Sequence, residues 1–165
     1  MCWAAAVQEE LDGYDAKKAQ ADFAVLCRKM AMVAKKYSIM IAFESLEATE
    51  TNFLITLESA AEVVRAVDRA NFKLNADNFH MMREGESLQS IVDAGDILVY
   101  CEIAEKQRRS FPGVEGDDFK PYLRALRKEN YKGYIFIERS SSNPVNDMPL
   151  SFKYLTRQLQ EVYAE

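Results

Sequence analysis

Lys73-Leu74-Asn75-Ala76-Asp77-Asn78-Phe79-His80 is the stretch from which the rest of the chain can be read. A short run with an apolar centre stops at a carboxylate, and three residues later comes the only histidine of the sequence. At the exit of a strand, Asp77 and His80 would project together over one edge of a sheet. Three further apolar runs also end in glutamate: Ser38-Ile39-Met40-Ile41-Ala42-Phe43-Glu44, Ile97-Leu98-Val99-Tyr100-Cys101-Glu102 and Gly133-Tyr134-Ile135-Phe136-Ile137-Glu138. Four strand-end acids are the signal that any fold must explain.

The segments between these runs read as helices. Asp15 is the expected N-cap of a helix reaching about Tyr37, with Ala19, Phe23, Leu26, Cys27, Met30 and Val33 as its apolar stripe. Helices are predicted again over about 57–70, with Ala60, Val63, Val64 and Val67 facing inward, and over about 88–94, closed by Gly95. Another carries Phe119, Tyr122, Leu123 and Leu126 with Pro121 in its first turn, and a last one covers about 150–163. Segments 45–56, 81–86 and 104–116 read as loops, and Asp12-Gly13-Tyr14 as a turn. Strands alternating with helices imply parallel strands joined by right-handed crossovers. The strands are predicted at 38–43, 72–76, 97–101 and 134–137, the first buried on both faces. The expected fold is therefore α/β, about four parallel (β/α) units forming one domain over residues 1–165.

Composition narrows the function classes. The chain has 165 residues, of which 48% are hydrophobic, enough for one sizeable core. A net charge of -5 argues against a phosphate-backbone binder, and the basic run Lys106-Gln107-Arg108-Arg109 is too short to reverse that, so no nucleic-acid partner is expected. Cys2, Cys27 and Cys101 are odd in number and lack metal-ligand spacing; they read as reduced thiols of a cytoplasmic protein. No apolar stretch approaches the roughly 20 residues of a membrane span. The segment Met1–Val7 is too short, and lacks the positive flank, for a secretory signal.

In parallel α/β arrangements the functional edge lies where strands pass into loops. A single glutamate there is ordinarily a solvated loop residue or a helix cap. Four acids on one edge repel each other unless something cationic holds them. An all-oxygen set favours a hard divalent ion, Mg²⁺ or Mn²⁺, over zinc. Taken alone, His80 reads equally as a packed histidine, and Arg108 equally as an exposed loop cation.

Taken in order, the motifs resemble the second half of the sugar isomerase/epimerase superfamily, the xylose-isomerase-like TIM barrels, and most closely the ketose 3-epimerases. The residues are Glu44 with Leu46 and Glu50-Thr51-Asn52, Asp77-x-x-His80, Glu102-x5-Arg108 with Pro112-Gly113, Gly133-Tyr134 and Ile137-Glu138. The resemblance implies a divalent ion held by Glu44, Asp77, Glu102 and Glu138. It implies that Glu44 and Glu138 are the catalytic acid/base pair of an epimerase or isomerase working by proton transfer through an enediolate. It also implies that Glu50, His80 and Arg108 bind the sugar.

Two departures stand out. The family's third metal ligand is normally a histidine, and here Glu102 replaces it. The family barrel has eight strand–helix units, and this chain supplies about four. A half barrel exposes its edge strands, so a homodimer, or a partner chain completing the barrel, is expected. A non-catalytic binding module that keeps the fold is the alternative reading. A different reaction on the same fold, such as that of a dehydratase or a hydroxypyruvate-type isomerase, is the third. The DNA-repair endonucleases of the superfamily need several histidines for zinc, and this chain has one.

Overall fold

The computed structural model describes residues 13, 15–139 and 143–164. Cys2, the segment Met1–Val7 and two residues of the expected turn, Asp12 and Tyr14, lie outside them. Four strands form one parallel sheet in the order β1 (Ile41–Phe43), β2 (Phe72–Asp77), β3 (Leu98–Ile103) and β4 (Ile135–Ile137). Helices α1 (Ala16–Lys35), α2 (Leu57–Val67), α3 (Asn78–Glu84), α4 (Gln89–Asp93), α5 (Lys120–Lys128) and α6 (Pro144–Ala164) fill the connections. The chain is thus a run of four parallel (β/α) units, as the alternation of patterns predicts.

Local chemistry sets the boundaries. The Asp15 carboxylate accepts the Lys18 N–H at 3.0 Å and starts α1. Thr56 and Ser59 form a reciprocal capping box at the head of α2. Asp68, in the left-handed region, caps that helix after Val67, three residues earlier than predicted. Asp77 closes β2 and caps α3 in the same stroke, its Oδ1 accepting the Phe79 N–H at 2.8 Å. The helix α3 therefore replaces most of the loop expected at 81–86. Gly85, with φ 64°, ends it in a conformation that most side chains resist.

Side chains alternate across the strands with period two. Phe72, Leu74 and Ala76 of β2, and Cys101 and Ile103 of β3, face the helices and are buried with Leu57, Val63, Val67, Tyr122, Leu123 and Leu126. The Tyr122 hydroxyl donates to the Ala76 carbonyl at 2.9 Å and ties α5 to the back of β2. The opposite face carries Lys73, Asn75 and Asp77 on β2, Tyr100 and Glu102 on β3, and Phe136 on β4. There Tyr100 and Phe136 stack with ring centres 4.2 Å apart.

Two expectations fail for one reason. β1 is shorter than predicted and only partly buried, with Ile39 and Met40 half exposed before it. The inner stripe of α1 is Ala24, Cys27 and Ala31 with Ala19 and Phe23, whereas Leu26, Met30 and Val33 face outward. β1 and β4 are both sheet edges, so β1 has a strand neighbour on one side only. Tyr134 beside β4 is 79% exposed, and Val145, Leu150 and Phe152 of α6 are also exposed. The open edges and these apolar flanks are what a half barrel leaves uncovered.

Candidate active site

The alternation that buries one face of the sheet sends Asp77 and Glu102 to the other, and they lie side by side in the β2–β3 register. Glu44 follows β1 and Glu138 follows β4, so each strand contributes one acid at its carboxyl end. One ligand atom from each of Glu44, Asp77, Glu102 and Glu138 lies within 4.8 Å of the others. All four residues expected to hold a metal converge.

His80, on the first turn of α3, is buried beneath the cluster. Its Nδ1 accepts the Glu47 N–H at 3.2 Å, which places the proton of the neutral ring on Nε2. Nε2 lies 3.4 Å from Asp77 and 3.7 Å from Glu44, and has no hydrogen-bond partner within the protein. It is a buried donor aimed at the acids. Glu47, also buried, pairs with Arg83 at 2.6 Å and so fixes the loop that orients the ring. Glu50 lies at the margin, and one of its oxygens is close to His80 and Glu47.

Arg108 stands apart from the cluster. Its side chain is 77% exposed and pairs with Glu115 at 2.5 Å, away from the acids. The neighbouring Arg109 enters the cluster instead: its Nη2 donates to Asp77 at 2.6 Å and to Glu138, and Nη1 lies 3.9 Å from Glu50. Both arginines have left-handed backbones, φ 55° and 51°. The turn they make exchanges the directions that counting from Glu102 assigns.

Two more residues had no signal of their own in the sequence. Asn75 is buried one side-chain step before Asp77 on the same face, and its amide donates to Glu102. Glu105, fully buried, accepts backbone N–H groups of Gly113 (2.7 Å), Glu115, Gly116 (2.9 Å) and Asp117 (3.3 Å). The loop carrying Arg109 is wrapped around that carboxylate. Its four-residue spacing from Arg109, read without the fold, looks like an ordinary surface pair.

The electrostatics follow from crowding. Burial pushes the Glu44 carboxyl up to about 9, and Asp77, Glu102 and Glu138 push the same way against Arg109. Burial raises Asp77 to about 7, with Arg109 and the Phe79 N–H pulling down. Burial also raises Glu102, opposed by the Asn75 hydrogen bond. His80 is lowered to about 4 by burial and then by Arg109, against the pull of Glu47.

These shifts fix a sign. Glu44 and Asp77 keep protons in the metal-free native state at pH values where the unfolded chain has released them, so stability falls as pH rises toward their folded values. His80 acts oppositely, but only as pH drops below its unfolded value of about 6.5. From about pH 6.5 to about pH 8 the carboxyls act alone, and the melting temperature of EDTA-treated protein is expected to decline. A flat or rising melting temperature over that interval contradicts the crowding.

Four strand-end acids thus converge over one end of a run of parallel (β/α) units. The chain belongs to the xylose isomerase-like TIM barrel family, which it matches over residues 4–158. It is 30% identical over 135 residues to the L-ribulose 3-epimerase of Methylomonas sp. strain DH-1, spanning 81% of this chain and 47% of that protein. The crystal structure of D-allulose 3-epimerase from Methylomonas sp. superposes with a TM-score of 0.74 at 26% identity, over 92% of this chain and 58% of that one. The IOLI protein, crystallised with a binding zinc atom, superposes with a TM-score of 0.80 at 18% identity, over 97% of this chain and 62% of that one. At that identity the likeness concerns the fold. The chain spans about half the length of the curated relatives it matches. Among the described residues, no helix is long and apolar enough to cross a membrane.

Proposed function

We propose that the chain carries the metal and acid/base half of a sugar epimerase or isomerase, acting on a ketose. The convergence of Glu44, Asp77, Glu102 and Glu138 from four different strands is the observation that supports this. The donor set suits a hard divalent ion, Mn²⁺ or Mg²⁺: every ligand atom is a carboxylate oxygen, and Glu44 Oε1 is buried with no donor of its own. A bound ion would supply Lewis-acid polarisation of the sugar carbonyl.

The remaining chemistry belongs to the side chains. Glu44 and Glu138 end the two outer strands, so they flank the cluster from opposite sides. That placement suits removal of a proton from the carbon beside the carbonyl on one face and its return on the other. His80 offers its Nε2 proton to a sugar oxygen, and Glu50 stands at the margin as an acceptor. Arg109 takes the sugar-binding role that the family resemblance implies for Arg108. The matched relatives named for epimerisation of ribulose and other ketoses support the substrate class.

We infer also that the open β1 and β4 edges are closed by a second copy or by another chain. One experiment reads both parts. Size-exclusion fractions loaded with Mn²⁺ are incubated with a panel of ketoses in D₂O and followed by NMR. Deuterium beside the carbonyl and growth of an epimer are expected in fractions larger than a monomer. A well-folded monomer at low micromolar concentration refutes closure by a second copy. Mn²⁺-loaded protein that exchanges no deuterium with any ketose leaves the binding-module reading in its place.

A further inference from the structure

Arg109 stands where a cation is needed. Its Nη2 joins Asp77 to Glu138, its Nη1 faces Glu50, and its guanidinium lies 4.8 Å above the Phe79 ring. The side chain is only 22% exposed, and its Nε has no hydrogen-bond partner. The backbone holds it there in a left-handed conformation, which costs a branched or long side chain energy. Glu105 braces the chain beyond it: its N–H donates to the Ser110 carbonyl at 2.9 Å, and its carboxylate accepts from Gly113, Gly116 and Asp117. Among the described residues, no other cation is ion-paired with Asp77 or Glu138 by its side-chain nitrogens, His80 apart.

The two acids that Arg109 joins are two of the four proposed to hold a divalent ion. A guanidinium bonded to both is strongly repelled by a dication held among the same carboxylates, because the site is largely shielded from water. We propose that Arg109 is the resident counter-cation of the metal-free cluster and competes with the divalent ion for Asp77 and Glu138. This inference rests on the proposed metal site. Its consequence is an ordered exchange, in which the ion displaces the guanidinium and thereby frees it to meet a substrate oxygen. It also offsets, at a distance, the extra negative charge that Glu102 adds before the ion arrives.

The test is Mn²⁺ titration calorimetry on EDTA-stripped wild type, Arg109→Gln and Arg109→Lys, with melting temperatures of the metal-free proteins. Arg109→Gln is expected to bind Mn²⁺ at least about tenfold more tightly and to melt at a lower temperature without metal. Arg109→Lys, a compact charge without the fork, is expected to fall between. A residue needed only for shape would weaken metal binding when replaced. Unchanged or weaker binding in both variants, with wild type binding normally, overturns the competition and leaves the metal site standing. Failure of all three proteins to bind overturns both. Binding by Arg109→Gln alone supports strong competition.

Discussion

Glu138→Ala is expected to abolish measurable Mn²⁺ binding, lowering affinity by more than about 100-fold, since even loss of an outer-shell partner costs 10- to 100-fold. Glu138 follows β4, the outermost strand, and supplies one of four converging oxygens. Its removal leaves a three-sided cluster and takes away a partner of Arg109. Turnover is expected to fall by about 10³-fold or more as well, because the same carboxylate is proposed as half of the acid/base pair. Glu138→Gln separates the roles of charge and shape. Calorimetry together with the deuterium assay reads the outcome. Mn²⁺ affinity within threefold of wild type would remove Glu138 from the ligand set, and with it the convergence argument.

Glu105→Ala is expected to cost on the order of 4 kcal/mol of stability, because buried charge-assisted hydrogen bonds contribute about 1.5–3 kcal/mol each and surface water recovers part of the loss. The carboxylate is fully buried, and backbone N–H groups of Gly113, Glu115, Gly116 and Asp117 point at it. Gly113 and Gly116 have φ of 97° and 90°, conformations that wrap the chain around an anion. Without the anion that turn has nothing to close on, so Arg109 also loses its fixed approach to the acids. Urea unfolding gives the magnitude, and hydrogen exchange at residues 113–117 gives the location. A loss below about 1 kcal/mol with unchanged exchange would show that the loop holds itself together.

The strand-end acids were legible because three of them close continuous apolar runs and Asp77 closes a shorter run with an apolar centre, and a buried strand admits a charge most readily at its exit. Their common face follows from period two, once the strand ends are right. β3 ends two residues later than its apolar run suggested, so Glu102 lies within the strand. That carboxylate tolerates burial because Asn75 donates to it. Arg109 was not legible, since residue counting cannot foresee two successive left-handed residues. Neither was Glu105, whose partners are backbone groups of residues with no side-chain signature. The stripe of α1 was misread because apolar spacing shows where a helix can pack. It does not show whether the neighbour that would cover Leu26, Met30 and Val33 is in the same chain.

All four acids come from one unbroken run of strands, each at the same end of the sheet. Closure by two copies would therefore carry two such sets to a single rim, eight carboxylates on molecules that each already bear a net charge of -5. Like charges at that density oppose the docking that the bare edges favour, so self-assembly becomes a cation-dependent equilibrium governed by ionic conditions. A complementary half without such acids carries no such penalty. The arrangement thus discriminates between partners by charge at the rim, while the sheet edges themselves would accept any parallel strand.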